Sequence, residues 1–450
     1  MLYPQEFAGP SSLIRIQEGI WDEEDQGLTT RPSVAWHGDV CKDQVMRLLR
    51  LDFKDPSFPI SLVEADNPPI PNSEWALCRV IRGGICGSDL GVLKGKTVSP
   101  LMANFVGFPM DMGHEIGAVV EDPGSDFPFK RGTRIAVDPV IGCAARRITP
   151  ACPYCASGSP SCCENLSSRA LTPGFALGYT NGLGGGWAEM VAVHSSMAYE
   201  VPQGVPDEST SLAEPLSVAV HGILGSPPPE DGQALVVGCG IIGLAAIAAL
   251  RYMFPDNFVV ALARHRHQAE AAEALGANLV VLGRDDAGSL RPQAELIEEL
   301  AQLAESRLVR TGNDAMLAVG FPYVIEAAGT RDAIDTALRC TSPKGTLLFL
   351  GVAGKTEIDL TPVWLKEIRI QGSFCHGFHP SAWAGRSSET VENTTSSLEL
   401  ALEMLAAGRL PYKIVVSAEF PLSEYRAALA TAKDHATSSS IKVVFDPQLG

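Results

Sequence analysis

Cysteine, hydroxyl and carboxylate side chains lie within four positions of one another in the stretch GGICGSDL, as Cys86, Ser88 and Asp89. A histidine and a glutamate are adjacent further along the chain, as His114 and Glu115. Thiolate, imidazole and carboxylate groups together are typical ligands of zinc. A lone cysteine or histidine is more often a packed core residue than a ligand, so these residues predict a metal site only as a set.

The cysteines of the chain are unevenly placed, because five of the eleven fall between residues 143 and 163. The N-terminus lacks a basic start followed by a long apolar run, so it predicts no signal peptide, and we expect a cytoplasmic protein. In that compartment, cysteines are better explained by metal binding or catalysis than by disulfides. A zinc site with four thiolate ligands would explain the clustering.

The composition is that of a globular protein, with 46% hydrophobic residues, 19% charged residues and a formal net charge of −17. Nucleic acids and anionic membranes need a basic face, so the charge argues against both as main partners. No apolar stretch reaches the length of about eighteen residues that a transmembrane helix needs. The charge says little else about partners, because an acidic protein binds a neutral small-molecule substrate without difficulty.

The elements that must position the reactive residues follow two patterns. Between about residues 44 and 215, short apolar runs are broken by Gly and Pro, which predicts a β-rich, barrel-like domain. From about residue 233, apolar strands alternate with helices, which predicts an α/β domain with a doubly wound parallel sheet.

Three further segments complete the predicted organisation. A polar stretch at about 288–312 predicts a helical insertion in the sheet domain. After about residue 373, the chain is expected to close with the helix SSLELALEMLAAG and the strand SIKVVFD. Residues 1–43 show no clear periodicity and form an extension without an assigned function.

The segment VVGCGIIG places Gly238, Gly240 and Gly243 in the spacing G-x-G-x-x-G. This spacing leaves a predicted strand and opens a predicted helix, which is the context of a dinucleotide site. The first glycine allows the tight turn, the second lets the backbone approach the pyrophosphate, and the third lets the helix pack on the strand. A glycine-rich turn without a ligand is the alternative.

The end of the next strand bears on the choice of cofactor. Sites for NAD hold the ribose 2′-hydroxyl with a carboxylate about 20 residues after the glycines. Here the strand NFVVALA ends at Ala263, and Arg264 and Arg266 follow without an acid. Two guanidinium groups suit a 2′-phosphate, which favours NADP over NAD; a solvated basic turn is the alternative.

In this order, the fragments resemble the zinc-containing medium-chain dehydrogenase/reductase family from about residue 44 to the end of the chain. The resemblance rests on the cysteine-rich stretch and on the segments GICGSD, GHEIGAVVE, EPLSVAVH, VVGCGIIG, IEAAGT and WLKEIRIQGSF. It implies a GroES-like catalytic domain at 44–219, completed by residues 373–450, and a Rossmann domain at 220–372. The active site is then expected in the cleft between the domains, and a homo-oligomer is expected.

By this resemblance, Cys86, His114 and Glu115 hold a catalytic zinc ion, and Glu214 is a fourth ligand, either direct or through water. Alcohol dehydrogenases of the family carry a cysteine at the position of Glu214, whereas polyol, glucose and threonine dehydrogenases carry a glutamate. The chain is similar to this second branch.

The cysteine-rich stretch is similar to the structural zinc loop of the family. Cys152, Cys155 and Cys163 have the family's spacing, and Cys143 is the expected first ligand, before an expanded loop AARRITPA. Cys162 competes with Cys163 for the last position. Because the first spacing is altered, a lobe with an incomplete or absent zinc site is the alternative.

The resemblance gives Ser88 the role of contacting the substrate oxygen and carrying its proton away, and it makes Asp89 a partner that orients His114. Helix capping and turn formation are the local alternatives for Ser88 and Asp89. Many relatives carry a histidine five residues after the zinc cysteine, but Gly91 stands there in this chain. The proton must therefore leave Ser88 through water or through another side chain.

The resemblance implies a zinc-dependent oxidoreductase that transfers hydride between a secondary or sugar hydroxyl, as in a polyol or an aldose, and NADP or NAD. A carbonyl reductase that works in the opposite direction is one alternative. A non-catalytic NADPH-binding protein on the same fold is another, and the intact set of Cys86, Ser88, His114 and Glu115 argues against it.

Overall fold

The structure is a computed structural model that describes residues 45–52, 58–94, 105–168, 170–312, 314–380 and 394–449. The extension predicted at residues 1–43 lies outside these described residues.

The first part of the chain forms short strands, as its broken apolar runs predict. One antiparallel sheet contains β1 (Val45–Leu51), β2 (Ile60–Asp66), β4 (Met110–Met112) and β7 (Tyr179–Thr180), in the order β2-β1-β4-β7. A larger sheet contains β3 (Trp75–Gly84), β5 (Glu115–Pro123), β6 (Arg134–Val137), β8 (Met190–His194), β9 (Ala198–Glu200), β20 (Val416–Phe420) and β21 (Lys442–Phe445). Its order is β20-β21-β3-β5-β6-β9, with β8 also paired to β3. Strand β3 is central in this sheet and is buried along most of its length.

Short helices join the strands where reactive residues were predicted. Helix α1 (Gly87–Leu93) follows β3, and helix α2 (Pro153–Ala156) lies in the cysteine-rich stretch. Helix α3 (Ala213–Gly225) is buried along most of its length and leads into the second domain.

A six-stranded parallel sheet forms the second domain, as the alternation of strands and helices predicts. It contains β10 (Gln233–Val237), β11 (Phe258–Ala263), β12 (Leu279–Leu282), β15 (Phe321–Glu326), β16 (Thr341–Phe349) and β17 (Arg369–Gly372). The order β12-β11-β10-β15-β16-β17 reverses direction at β10, which is the doubly wound arrangement. Its helices are α4 (Ile241–Met253), α5 (Arg266–Ala274), α6 (Gln293–Leu303), α7 (Arg331–Cys340) and α8 (Thr361–Lys366).

The insertion predicted to be helical at about 288–312 is only partly so. Helix α6 is followed by an antiparallel hairpin of β13 (Leu308–Thr311) and β14 (Asp314–Leu317). The prediction of a helix up to residue 312 is therefore wrong. The physical reason is local, because β-branched Val309 and Thr311 precede a glycine turn, and such a pattern favours a hairpin.

The chain then returns to the first domain, as predicted. This segment contains β18 (Phe378–Pro380), β19 (Thr394–Ser396), α9 (Ser397–Ala406), α10 (Tyr412–Val415), α11 (Tyr425–Lys433) and α12 (His435–Ser438), followed by β21. Strand β21 pairs antiparallel with the end of β3, with Val444 opposite Gly84. Strand β21 follows the whole parallel sheet in the sequence, yet it pairs with β3, the strand that leads into α1.

The structure confirms a GroES-like β-rich domain combined with a doubly wound Rossmann domain. None of the helices among the described residues has the length and hydropathy needed to cross a membrane.

Candidate active site

Helix α1 positions the first of the predicted site residues. Cys86 stands directly before the helix, where β3 has ended, and its backbone N–H donates to Asp89 Oδ2 at 2.9 Å. Asp89 Oδ1 is 3.0 Å from His114 Nδ1. The predicted contact between Asp89 and His114 is confirmed, and the same carboxylate also caps the helix. With Nδ1 engaged, Nε2 is the ring nitrogen of His114 that remains for a ligand.

Three of the predicted metal ligands come together. A ligand atom from each of Cys86, His114 and Glu115 lies within 4.8 Å of the other two. His114 and Glu115 are buried, because they stand at the start of β5, in the middle of the larger sheet. Thiol, imidazole and carboxylate groups at this separation form a donor set that suits zinc.

Glu115 has a buried counter-charge that comes from the far end of the chain. Lys442 Nζ in β21 donates to Glu115 Oε1 and, at 3.0 Å, to the Ile85 carbonyl oxygen. Burial raises the pKa of Glu115, and the charges of Lys442 and His114 oppose that rise. Both carboxylate oxygens of Glu115 lie beside the Lys442 ammonium group.

Glu214 lies outside the cluster of Cys86, His114 and Glu115, at the start of α3. Its Oε1 is 3.1 Å from His376 Nε2, and His376 Nδ1 is 3.1 Å from Asp138 Oδ1. Burial would lower the pKa of His376, but Asp138 and Glu214 outweigh it and raise the pKa to about 10. Burial would raise the pKa of Glu214, but His376 outweighs it and lowers that pKa. A role for Glu214 at the metal, direct or through water, therefore stays a prediction.

Ser88 has a tyrosine as its partner. The Tyr179 hydroxyl donates to Ser88 Oγ at 2.9 Å. The Tyr179 ring lies 5.2 Å from the His114 ring and stacks on Phe175 at 5.0 Å. Phe374, which is 44% exposed, lies 5.8 Å from Phe175. A row of aromatic rings thus runs from His114, through Tyr179 and Phe175, to the exposed Phe374.

The four predicted cysteines of the lobe also come together. One sulfur from each of Cys143, Cys152, Cys155 and Cys163 lies within 4.8 Å of the others, whereas Cys162 is exposed. The sulfurs of Cys143 and Cys163 are 3.5 Å apart, close to the roughly 3.8 Å that zinc–sulfur bonds of about 2.3 Å give in a tetrahedron.

Hydrogen bonds to the sulfurs give a second indication of thiolates. The Asn165 side chain donates to Cys143 Sγ at 3.3 Å, and its backbone N–H donates to Cys163 Sγ at 3.3 Å. Donors aimed at sulfur favour the charged form, which is the form that binds metal. The residues of this lobe therefore fit a structural zinc ion.

Arg146, in the expanded loop after Cys143, is 5% exposed. Its guanidinium group donates to five backbone carbonyl oxygens, which belong to Ile141, Leu166, Ser168, Thr172 and Gly174. It therefore ties the two ends of the cysteine lobe together.

The glycine turn has the geometry of a dinucleotide site. It joins β10 to α4, and Gly238 has a φ of +97°. A Cβ on Gly243 would lie 1.8 Å from the Gly238 carbonyl oxygen, so helix and turn touch there. Among the described atoms, none lies within 4 Å of a Cβ built on Gly240. The open space over Gly240, at the start of α4, fits a pyrophosphate.

Arg264 and Arg266 lie at the same edge of the sheet. Arg264 directly follows β11, and both side chains are exposed. Arg266 forms an ion pair with Asp286 at 3.2 Å, and both partners are open to solvent. The Gly238 N–H donates to the Leu262 carbonyl oxygen at 3.0 Å. Arg264 is two residues after Leu262 in the sequence, so the arginines follow a residue that contacts the glycine turn.

Four residues of this site are not evident from the sequence: Tyr179, His376, Lys442 and Arg146. Each is brought to its partner by tertiary pairing. A signal existed for Lys442, which is the single charged residue inside an apolar final strand, and for Arg146, which stands in an insertion between two cysteines. His376 is fully buried.

Known proteins resemble the chain over most of its length. The profile of the alcohol dehydrogenase GroES-like domain matches residues 72–203, and that of the zinc-binding dehydrogenase matches residues 242–392. An L-idonate 5-dehydrogenase of Vitis vinifera is 27% identical over 371 residues, which cover 82% of this chain and 87% of the relative. A D-arabinitol dehydrogenase 1 of Uromyces fabae is 28% identical over 320 residues, which cover 70% and 79% of the two chains.

Among solved structures, a candidate zinc-binding dehydrogenase of Sinorhizobium meliloti 1021 bound to NADP is 25% identical, with a TM-score of 0.66. It covers 90% of this chain and 100% of its own. The two matched profiles, the relatives and the solved structure are all named as dehydrogenases or their domains. The chain belongs to the zinc-containing medium-chain dehydrogenase/reductase family of oxidoreductases.

Proposed function

We propose that this protein is a zinc- and NADP-dependent dehydrogenase that oxidises a secondary hydroxyl of a polyol or of a related sugar-derived alcohol. The observation that carries the proposal is the cluster of Cys86, His114 and Glu115 beside Ser88. When bound, zinc supplies Lewis acidity at the substrate oxygen, and NADP supplies the hydride acceptor.

The residues of the chain have separate roles in this proposal. Cys86, His114 and Glu115 hold the metal, and Asp89 keeps the His114 ring in place. Ser88 contacts the reacting hydroxyl and takes part in moving its proton. Glu214, ion-paired to His376, is held at the edge of the cluster, where it can reach the metal through water.

The relatives support the substrate class. Those named for idonate and arabinitol act, by their names, on molecules with several hydroxyl groups. A glutamate at position 214 also resembles the polyol branch of the family.

The proposed cofactor is NADP because Arg264 and Arg266 stand where a carboxylate would hold the 2′-hydroxyl of NAD. The NADP bound to the Sinorhizobium structure supports the same choice. Gly238, Gly240 and Gly243 would receive the pyrophosphate. We propose in addition that Cys143, Cys152, Cys155 and Cys163 hold a structural zinc ion.

We also propose that copies of the chain associate into a homo-oligomer through the edge of the parallel sheet. All four residues of the edge strand β17 are exposed. Trp364, Leu365 and Ile370 are exposed beside this edge, at 68%, 54% and 45%. An exposed edge strand with exposed apolar side chains beside it invites pairing with a second copy, which light scattering would detect.

A turnover panel tests the proposal. Zinc-replete protein is given sorbitol, arabinitol, idonate, an aldose, threonine and 2,3-butanediol, with NADP and NAD in separate reactions, and reduced nicotinamide is followed. We expect one substrate class to be oxidised, with a higher kcat/KM for NADP than for NAD, and we expect a chelator to abolish the activity.

The Ser88→Ala variant tests the proton step. Removal of the hydroxyl is expected to lower kcat by about 10²- to 10⁴-fold, because proton transfer by a positioned group contributes about that much. Ser342→Ala, which removes a buried hydroxyl in the sheet domain, is the matched control and should keep full activity. An S88A enzyme as fast as the parent contradicts the role of Ser88. If both cofactors bind but nothing in the panel turns over, the proposed function is wrong.

A further inference from the structure

The hydroxyl of Tyr179 lies 2.9 Å from Ser88 Oγ, within hydrogen-bond distance. The sequence left open which group acts on Ser88 in the absence of a side chain at Gly91. Tyr179 stands 88 residues beyond Gly91 and on a different element, so no spacing rule connects the two positions.

The fold holds Tyr179 rigidly. Tyr179 is 7% exposed, and in strand β7 it stands opposite Met112 of β4, two residues before His114. Its backbone N–H donates to the Ala176 carbonyl oxygen at 3.0 Å, and its carbonyl oxygen accepts from Gly107 N–H at 3.0 Å. The preceding residue is Gly178, and a side chain would not fit there, because a Cβ would lie 2.4 Å from the Gly113 carbonyl carbon. Pairing of β4 with β7 therefore sets the phenol beside the metal ligands.

Aromatic packing fixes the direction of the ring. Phe175 stacks on the Tyr179 ring at 5.0 Å with planes 24° apart, and the His114 ring lies 5.2 Å away on a tilted plane. A ring held in this way has little rotational freedom, so its hydroxyl keeps one position relative to Ser88.

The contact between the two hydroxyls restricts Ser88 Oγ to side-chain rotamers that keep it within hydrogen-bond distance of the phenol.

We propose that Tyr179 is a positioning residue that holds Ser88 Oγ in one rotamer, within reach of the reacting hydroxyl of the substrate. This inference rests on the proposed function, and it deepens the role of Ser88. In that rotamer, Ser88 Oγ is in place to take part in moving the proton of the reacting hydroxyl, as the proposed function requires.

The Tyr179→Phe variant removes the hydroxyl and keeps the ring. With the panel substrate that is oxidised fastest, kcat is expected to fall about 10-fold or more, while KM changes by less than about threefold. The loss of kcat/KM is expected to shrink as the pH rises, because hydroxide then takes the proton that a misplaced Ser88 moves less well. The zinc content should equal that of the parent.

Two further variants separate this role from a structural one. Tyr323→Phe removes another buried phenol hydroxyl, one that donates to the Ser226 carbonyl oxygen at 2.6 Å, and it is expected to leave kcat and the pH profile unchanged. In a Ser88→Ala background, Tyr179→Phe is expected to cost no further activity. An equal loss of kcat in the S88A and parent backgrounds overturns the proposal, as does a similar effect of Y179F and Y323F.

A crystal structure of Y179F gives a readout that needs no turnover. The Ser88 side chain is expected to leave its rotamer or to occupy more than one; a Ser88 that keeps the parent rotamer overturns the inference whatever the kinetics show. The two proposals also fail differently. Absence of turnover across the substrate panel contradicts the proposed function, whereas a slow S88A enzyme with a fast Y179F enzyme contradicts only the inference.

Discussion

Glu115 and Lys442 form an ion pair in which both side chains are 1% exposed. Two charges brought out of water together cost desolvation energy that their attraction offsets only in good geometry. Here the ammonium group gains a second acceptor in the Ile85 carbonyl oxygen. The charge of the lysine lowers the pKa of Glu115 and so opposes the rise that burial causes.

Lys442→Met removes this counter-charge and leaves the carboxylate buried. We expect the free energy of unfolding to fall by about 3 to 5 kcal/mol, the usual cost of an uncompensated buried charge. Urea unfolding at neutral pH measures the change.

A second substitution checks the cause. Adding Glu115→Gln to K442M removes the uncompensated charge and should recover part of the loss. If the free energy of unfolding of K442M lies within about 1 kcal/mol of that of the parent, the ion pair adds little to stability.

Residue types and the family resemblance were enough to predict that Cys86, His114 and Glu115 come together, because their chemistry is unusual for a core and their segments resemble a known family. They were not enough to find Lys442, which lies 327 residues beyond Glu115. Only the pairing of β21 with β3 brings the two together. Tyr179 reaches Ser88 for a similar reason, through the pairing of β4 with β7.

At the scale of elements, the cysteine lobe depends on one side chain as much as on its sulfurs. Arg146 supplies donors to carbonyl groups on both sides of the cysteines. A buried carbonyl group without a hydrogen-bond donor is destabilising, so loss of Arg146 should destabilise the loop. The expanded spacing after Cys143 thus places a side chain whose hydrogen bonds join the two ends of the lobe.

Arg146→Met should therefore destabilise the lobe. We expect a loss of about 3 to 5 kcal/mol in the free energy of unfolding, together with faster reaction of the lobe thiols with a thiol reagent. Arg147→Met is the matched control, because Arg147 is the exposed neighbour. It should change stability by less than about 0.5 kcal/mol. Equal effects of the two substitutions would contradict the role of Arg146.

Elements with strong periodicity were predictable, and elements set by turns were not. The parallel sheet, the closing helix and the final strand follow from apolar patterning, which burial enforces in any fold. The hairpin after Leu303 was missed because a short polar pair of strands buries too little to show a period. It is defined instead by its turn near Gly312.

At the scale of the whole molecule, two histidines join segments that are far apart in the chain. His221 of α3 and His379 of β18 lie with Nδ1 and Nε2 2.8 Å apart. Burial lowers the pKa of each to about 4, and for His221 the charges of His379 and His376 add to that effect, while Asp138 opposes it. At neutral pH both rings are uncharged.

Stability should therefore depend on pH below about 6.5. Unfolded histidines take up protons near pH 6.5, whereas these two do so near pH 4, so stability is lost as pH falls between the two values. Each imidazole contributes a loss of about 2 kcal/mol at pH 5 relative to pH 7.5. Urea unfolding at both pH values measures it.

The His379→Gln variant isolates this contribution from that of carboxyl groups, which also take up protons in acid. Its free energy of unfolding should fall less between pH 7.5 and pH 5 than that of the parent. An unchanged difference would mean that His379 titrates normally in the folded protein.

The return of the chain to its first domain has a consequence for synthesis. Glu115 leaves the ribosome 327 residues before Lys442, an interval of roughly 16 to 65 seconds at about 5 to 20 residues per second. During that time the Rossmann domain, which is one continuous segment, can fold. The larger sheet of the first domain is incomplete in that interval, because β3 lacks β21 as a neighbour and the carboxylate of Glu115 lacks its ammonium partner. We therefore expect the cofactor domain to fold before the catalytic centre in the nascent chain.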